Sequence, residues 1–116
     1  MRKDLGRIGE DIAERYLLNK NFVILERNFR SKRWGEIDII ARDGETIVFV
    51  EVKTRSSNRY GNPYEAVTKY KLKALRNSAN YYLFTHNLKC LARIDVISIN
   101  FNFGKYGINH FTNVDF

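Results

Sequence analysis

Residues 35–55 read GEIDIIARDGETIVFVEVKTR, and no other stretch limits the folds open to this chain as strongly. Two β-prone runs flank Asp43-Gly44, a dipeptide that favours a tight hairpin. With Arg42 set opposite Glu45, Asp38 falls opposite Phe49 and Glu36 opposite Glu51. Side chains alternate along strands, so Glu36, Asp38 and Ile40 share one face with Ile47, Phe49, Glu51 and Lys53. The other face carries Ile37, Ile39, Ala41, Val48, Val50 and Val52, almost purely apolar. A slip of one residue would put Asp38 and Glu51 on opposite faces and bury charge. Charged groups inside so hydrophobic a run lower stability unless something pairs with them, so the pattern asks for partners.

The rest of the chain supplies helices and further strands around this hairpin. Apolar and small residues recur at helical spacing over residues 5–19 (Leu5, Ile8, Gly9, Ile12, Ala13, Tyr16), with Glu10 at the edge of the apolar arc beside Leu17. Residues 22–29 predict a first strand, followed by a basic loop, Arg30-Ser31-Lys32-Arg33. Asn62-Pro63-Tyr64-Glu65 has the form of a helix start, with a capping side chain and proline in the first turn. That helix is expected to run to about Phe84, with Lys71 inside its apolar arc. Residues 91–99 alternate as a strand, Gly104 to Gly107 predict a turn, and residues 108–114 predict a last strand. The order is α-β-β-β-α-β-β, an α/β fold with a mixed sheet flanked by helices, in a single domain spanning 1–116.

Twenty Lys and Arg against thirteen Asp and Glu give a net charge of +7. If several of the acids gather at one place, the remaining surface is more basic still, which suits a polyanionic partner. No apolar run approaches the ~20 residues of a membrane span, and the charged N-terminal segment has no signal-peptide core. The single cysteine, Cys90, excludes an internal disulfide and is expected as a small core residue. These features predict a cytoplasmic protein with no membrane partner.

Asp38, Glu51 and Lys53 carry the chemistry. Mg²⁺ (or Mn²⁺) takes oxygen ligands and commonly one or two carboxylates. Asp38 and Glu51, on adjacent strands, suit one such ion, with the Val52 carbonyl as a further oxygen. Lys53 points to the same side and suits orienting water or stabilising a pentavalent phosphate. Glu10 offers another carboxylate. Against this, an acid-x-lysine triplet in a strand is ordinarily a solvated outer face. Asp38 before the hairpin, and a helical glutamate before that, make the combination more specific than Glu51-Val52-Lys53 alone.

Asp38 with Glu51-Val52-Lys53 resembles the PD-(D/E)xK signature of restriction-endonuclease-like nucleases, with Ile37 standing where the leading proline would be. The chain more closely resembles the YraN family of small bacterial proteins, similar in fold to archaeal Holliday-junction resolvases. The matching segments are Gly6-Arg7-Ile8-Gly9-Glu10, Arg27-Asn28-Phe29-Arg30, Gly35-Glu36-Ile37-Asp38, Phe49 to Arg55 and the helix holding Lys71. The resemblance implies a restriction-endonuclease-like sheet, a Mg²⁺-type nuclease site built from Glu10, Asp38, Glu51 and Lys53, and action on DNA, including branched or structured DNA. Cleavage of a junction would call for two active sites and hence a homodimer.

Around that centre, Glu36 is expected to pair with Arg30 or Arg33 or to support the site, and Lys71 to be a supporting cation. Arg30, Lys32, Arg33, Arg55 and Arg59 flank the pocket in sequence and suit a phosphate backbone, or simply a solvated loop. Trp34, Tyr60 and Tyr64 suit base stacking, although packing into the core is the simpler expectation. His86 and His110 have no partner at metal-ligand spacing. The aromatic tail (Phe101, Phe103, Tyr106, Phe111, Phe116) suits an edge cover or a dimer contact. Two other readings stand beside the nuclease: a nucleic-acid-binding module without turnover, and an interaction subunit of a DNA-processing assembly.

Overall fold

The hairpin lies at the centre of a five-stranded sheet in the computed structural model, which describes residues 2–56 and 68–114. Helix α1 (Arg2–Asn19) is followed by β1 (Val23–Ser31), β2 (Gly35–Asp43) and β3 (Thr46–Arg55). Helix α2 (Lys69–Thr85), β4 (Ala92–Asn102) and β5 (Lys105–Phe111) complete the order. The strands lie side by side as β1-β2-β3-β4-β5. All neighbours are antiparallel except β3 and β4, whose parallel pairing is made possible by the crossover through α2. The α/β order and the mixed sheet are those expected from the sequence.

Each face of the sheet is covered by one helix. Ala13 and Leu17 of α1 pack with Ile39, Ala41, Val48, Val50, Ile97 and Ile99. Leu72, Leu75, Ala79 and Tyr82 of α2 pack with Phe29, Ile40, Phe49, Ile94 and Val96. Burial of each such aliphatic side chain stabilises the fold by about 1.5–3 kcal/mol, so β2 and β3, covered on both faces, anchor the structure.

Several local expectations are corrected. Asp43 pairs with Thr46 and Ile40 with Phe49, so the loop is Gly44-Glu45 and not Asp43-Gly44. Gly44, at φ +62°, supplies the left-handed backbone this turn needs. The register moves by two residues, which leaves the core side chains of residues 39–41 and 47–50 on their expected faces. Arg30 and Ser31 belong to β1, where they pair with Glu36 and Gly35, and the turn is confined to residues 32–34. Helix α2 is capped by Thr68, whose hydroxyl accepts the Lys71 N–H at 3.1 Å. Asn62-Pro63-Tyr64-Glu65 lies outside the described residues, as do Arg59 and Tyr60. The β4–β5 turn is Phe103-Gly104, both at positive φ, and Gly107 lies within β5. Cys90 is exposed and is no core residue.

Gly9 sets how closely α1 approaches the sheet. A Cβ at this position would lie 2.1 Å from Thr54 Oγ1 and 3.3 Å from its Cγ2. Thr54 branches at Cβ, which restricts the rotamers by which it can give way, and its own Cβ lies 3.2 Å from the same spot. Gly9→Ala gains about 1 kcal/mol of helix propensity but forces α1 outward against a typical overpacking penalty of about 1–3 kcal/mol. A net loss of about 1–2 kcal/mol is expected in urea denaturation, more than half of it recovered when Thr54→Ala is added. Additive losses in the double variant would contradict this account.

Candidate functional site

Pairing between β2 and β3 ends at Ile39 and Val50, although both strands continue. Asp38 lies just beyond this point. On the other side, Phe29 pairs with Ile37 and Arg27 with Ile39, and Asn28 between them adopts φ +53°. Ile37 packs in the cluster that holds Ile40 and Phe29, not with Ile39 as simple alternation predicts. The strand therefore changes face at Asp38. Its carboxylate takes over the role of a ladder acceptor: Val52 N–H donates to Asp38 Oδ2 at 2.8 Å. Val52 thus enters the site through its N–H.

Continuing the observed register sets Asp38 opposite Glu51, not opposite Phe49 as the sequence reading has it. Glu51 is only 4% exposed, a rare situation for a carboxylate. Two ammonium groups compensate it: Lys53 Nζ and Lys71 Nζ each lie 3.4 Å from Glu51 Oε2. Lys71 arrives from the first turn of α2, so the parallel crossover brings it to the carboxyl end of β3.

Asp38 is under the opposite pressure. Burial pushes its carboxyl up to about 7, with the charges of Glu51 and Glu10 adding to the rise and the Val52 N–H and Lys71 opposing it. Glu10 thus acts on Asp38 through its field, but its own hydrogen bond is to Arg27, whose Nη2 donates to Glu10 Oε1 at 3.2 Å. Arg27 Nη1 also holds Asp11 and Glu14, each at 3.0 Å. Glu10 and Arg27 border an open cleft of about 560 Å³ with Gly6, Arg7 and Asn28. Among the described residues, no three Asp, Glu, His or Cys side chains meet closely enough to hold a metal ion together.

The outer residues fall into place differently. Arg30 Nη2 donates to Glu36 Oε2 at 2.6 Å, so Glu36 is a surface partner of Arg30, away from the two central carboxylates. Lys32 and Arg33 lie exposed in the turn. The Arg33 guanidinium sits 5.7 Å from the centre of the Trp34 ring, which leans on Tyr81 and is not wedged into the core. Arg55 ends β3 beside Asn100.

Two groups escaped the sequence reading. Ser98 and Asn100 lie in register with Lys53 and Arg55 on β4, and their buried Oγ and Oδ1 atoms have no hydrogen-bond partner among the described residues. At the other end of the sheet, fully buried Asp95 accepts from Arg93 Nε at 3.0 Å and from Asn113 N–H at 2.9 Å, with His110 Nε2 at 2.8 Å. A carboxylate only accepts, so Nε2 carries the proton there. In the neutral ring Nδ1 then accepts the Tyr16 hydroxyl at 3.0 Å. Burial alone would raise the Asp95 carboxyl, but hydrogen bonds from His110, Asn113 and Arg93 outweigh it and hold it below the usual range. The signal for this network was the charged pair Arg93 and Asp95 in an otherwise apolar alternating run.

Fold and site define a mixed α/β protein in which two carboxylates and two ammonium groups meet at the carboxyl end of a central strand. Residues 9–99 match the model of "Uncharacterised protein family UPF0102". The chain belongs to that family. A UPF0102 protein of Geobacter metallireducens is 51% identical over 112 residues, covering 96% of this chain and 91% of the relative. One from Syntrophomonas wolfei is 46% identical over 114 residues, covering 97% and 98%. One from Alkaliphilus oremlandii is 47% identical over 116 residues, again covering 97% and 98%. Among the described residues no helix is long and apolar enough to cross a membrane.

The raised Asp38 carboxyl has a measurable sign. Its folded value of about 7 exceeds the ordinary 3.8, so the folded state binds the extra proton between these limits. The stability it contributes is intact below about pH 4 and is lost as pH rises through about 7. Asp38→Asn retains an acceptor for Val52 N–H. It is expected to match the wild type near pH 4 and to exceed it by about 1–2 kcal/mol near pH 8 in divalent-free urea melts. Equal stability at both pH values would contradict the raised Asp38 carboxyl.

Proposed function

We propose that this protein is a metal-dependent nuclease that hydrolyses phosphodiester bonds in DNA, with branched or structured DNA as its substrate class. One observation carries the reading: Asp38 faces buried Glu51 where the β2–β3 ladder ends, with Lys53 and Lys71 both 3.4 Å from Glu51. Gathering buried acids opposes stability through burial and like charge, and divalent cation binding relieves that opposition. The likeness to the PD-(D/E)xK signature in residues 38 and 51–53 supports the same reading.

The donor chemistry fits Mg²⁺ (or Mn²⁺). Carboxylate oxygens from Asp38 and Glu51 are joined at the same end of the sheet by the uncompensated Ser98 and Asn100 oxygens. Asp38 and Glu51 would hold the ion, and Glu10 would join them on leaving Arg27. Bound there, the ion supplies Lewis-acid stabilisation of the charge that builds on the phosphate. Lys53, on the same strand face, donates a hydrogen bond to that phosphate and orients the attacking water. Lys71 holds Glu51 in place through its ion pair. Arg30, Lys32 and Arg33 track the backbone on either side by charge, without reading sequence.

Cleavage of four-way, flap and gapped DNA with Mg²⁺ or Mn²⁺ tests this. Asp38→Asn, Glu51→Gln and Lys53→Ala are each expected to lower the rate at least about 100-fold with DNA binding retained. A binding module without turnover is favoured by Arg27's hold on Glu10 and by the lack of a three-donor metal cluster among the described residues. Salt-sensitive binding with no cleavage of any substrate would establish that reading. Failure to bind DNA at all would point to an interaction subunit.

A further inference from the structure

The start of α2 and the β1–β2 turn enclose a second open cleft, of about 390 Å³, lined by Arg33, Trp34, Tyr70, Lys71, Lys73 and Asn77. Lys71 belongs to two places at once, since it lines this cleft and its Nζ reaches Glu51. Among the described residues no carboxylate lines the cleft, and three cations do. Helix α2 has no acidic residue in its first turn, so no acid of that turn offsets the positive end of its dipole near the cleft. Ser31 Oγ and Ser78 Oγ, 2.9 Å apart and buried, fasten β1 to α2 beneath it, so the two walls keep their spacing.

The walls combine two kinds of recognition. Tyr70 is 84% exposed, and Trp34 offers an indole already faced by the Arg33 guanidinium. Flat aromatic surfaces, an amide at Asn77 and ammonium groups beside them are complementary to a base, its polar edge and its phosphate. An apolar peptide would strand three cations. An acidic peptide would satisfy them and leave the ring faces bare. A base inside a duplex is stacked on its neighbours and presents no free face, so the fitting occupant is unpaired.

We infer that this cleft binds an unpaired nucleotide, its base stacked on Trp34 and Tyr70 and its phosphate directed to Lys71. The strand thereby passes from the cleft to the Asp38–Glu51 pair, and the boundary between single and double strand is set beside it. This rests on the proposed nuclease function for the identity of the neighbouring site, but binding in the cleft is measurable without cleavage.

Trp34 is the only tryptophan, so its emission reports on the cleft directly. The full chain is titrated in EDTA with a duplex carrying a short single-stranded thymine gap and with the matched gapless duplex. Fluorescein-labelled copies give affinity separately by anisotropy. Gapped DNA is expected to quench Trp34 with the midpoint seen in anisotropy, whereas the gapless duplex leaves the emission nearly unchanged. Tyr70→Ala, at an exposed position, is expected to reduce the preference for gapped over gapless DNA by about tenfold, and Trp34→Ala similarly, with Trp34→Phe retaining most of it. Binding of gapped DNA with no change in Trp34 emission, or equal quenching by both DNAs, would overturn the cleft assignment and leave the nuclease reading intact. Absence of binding to either DNA would overturn both.

Discussion

The hydrogen bond from Val52 N–H to the Asp38 carboxylate, 2.8 Å long, is the contact on which the site depends. A buried backbone N–H has to find an acceptor, and an uninterrupted β2–β3 ladder would supply a carbonyl. Here a side chain does so. That substitution lets the two strands part beyond Ile39 and Val50, and it keeps Asp38 turned toward the strand that carries Glu51. The same contact opposes the effect of burial and like charge, because it stabilises the ionised form of a carboxyl raised to about 7. Lys71 acts in the same direction from α2. The site is therefore a near balance between acids that repel and donors that restrain them.

A comparison within the same sheet shows what that balance signifies. Asp95 is wholly shielded from solvent and Asp38 is only partly so, yet the Asp95 carboxyl lies below the usual range because His110, the Asn113 N–H and Arg93 serve it. Its work is structural: through His110 and Tyr16 it ties β5 to α1, and through Asn113 it ties down the chain after β5. Asp38 has one backbone donor and two acidic neighbours. An acid with its donors in place has nothing left to recruit. An acid held near neutrality by its surroundings retains capacity for a cation, and such groups concentrate at functional sites.

Which side chains share a face was legible in the sequence, because alternation survives a register change of two. The register itself was not. Asp43-Gly44 and Gly44-Glu45 are both plausible two-residue loops that can use a positive φ at Gly44, and only the pairing of Asp43 with Thr46 in the packed sheet decides between them. Ile37 could not be placed, since a strand that changes face at one residue leaves no periodic trace. A lysine inside an apolar helical arc signalled that Lys71 either reaches a buried anion or turns outward, but the sequence did not say that the anion is Glu51. Asp95 and His110, fifteen residues apart, meet only because β4 and β5 pair, which spacing alone does not reveal. The cleft around Trp34 was hidden for the same reason, as its two walls come from β1–β2 and α2.

Glu10 shows how the resting arrangement and the proposed function coexist. Its bond to Arg27, at 3.2 Å, is the longest of the three that this guanidinium makes to acids, the others being 3.0 Å. Arg27 is held twice over without it. Release of Glu10 therefore gives up one partly solvated contact, worth about 1 kcal/mol or less, and does not strand a charged guanidinium, which would cost several times as much. The close seating of Gly9 on Thr54 fixes the α1 backbone next to β3, so only the Glu10 side chain has to move. In the proposed function, a cation at Asp38 and Glu51 would turn the like-charge effect between Glu10 and Asp38 into a shared attraction. The step from an Arg27-paired glutamate to a further ligand in that function is thus small in energy, because Arg27 keeps two acidic partners throughout.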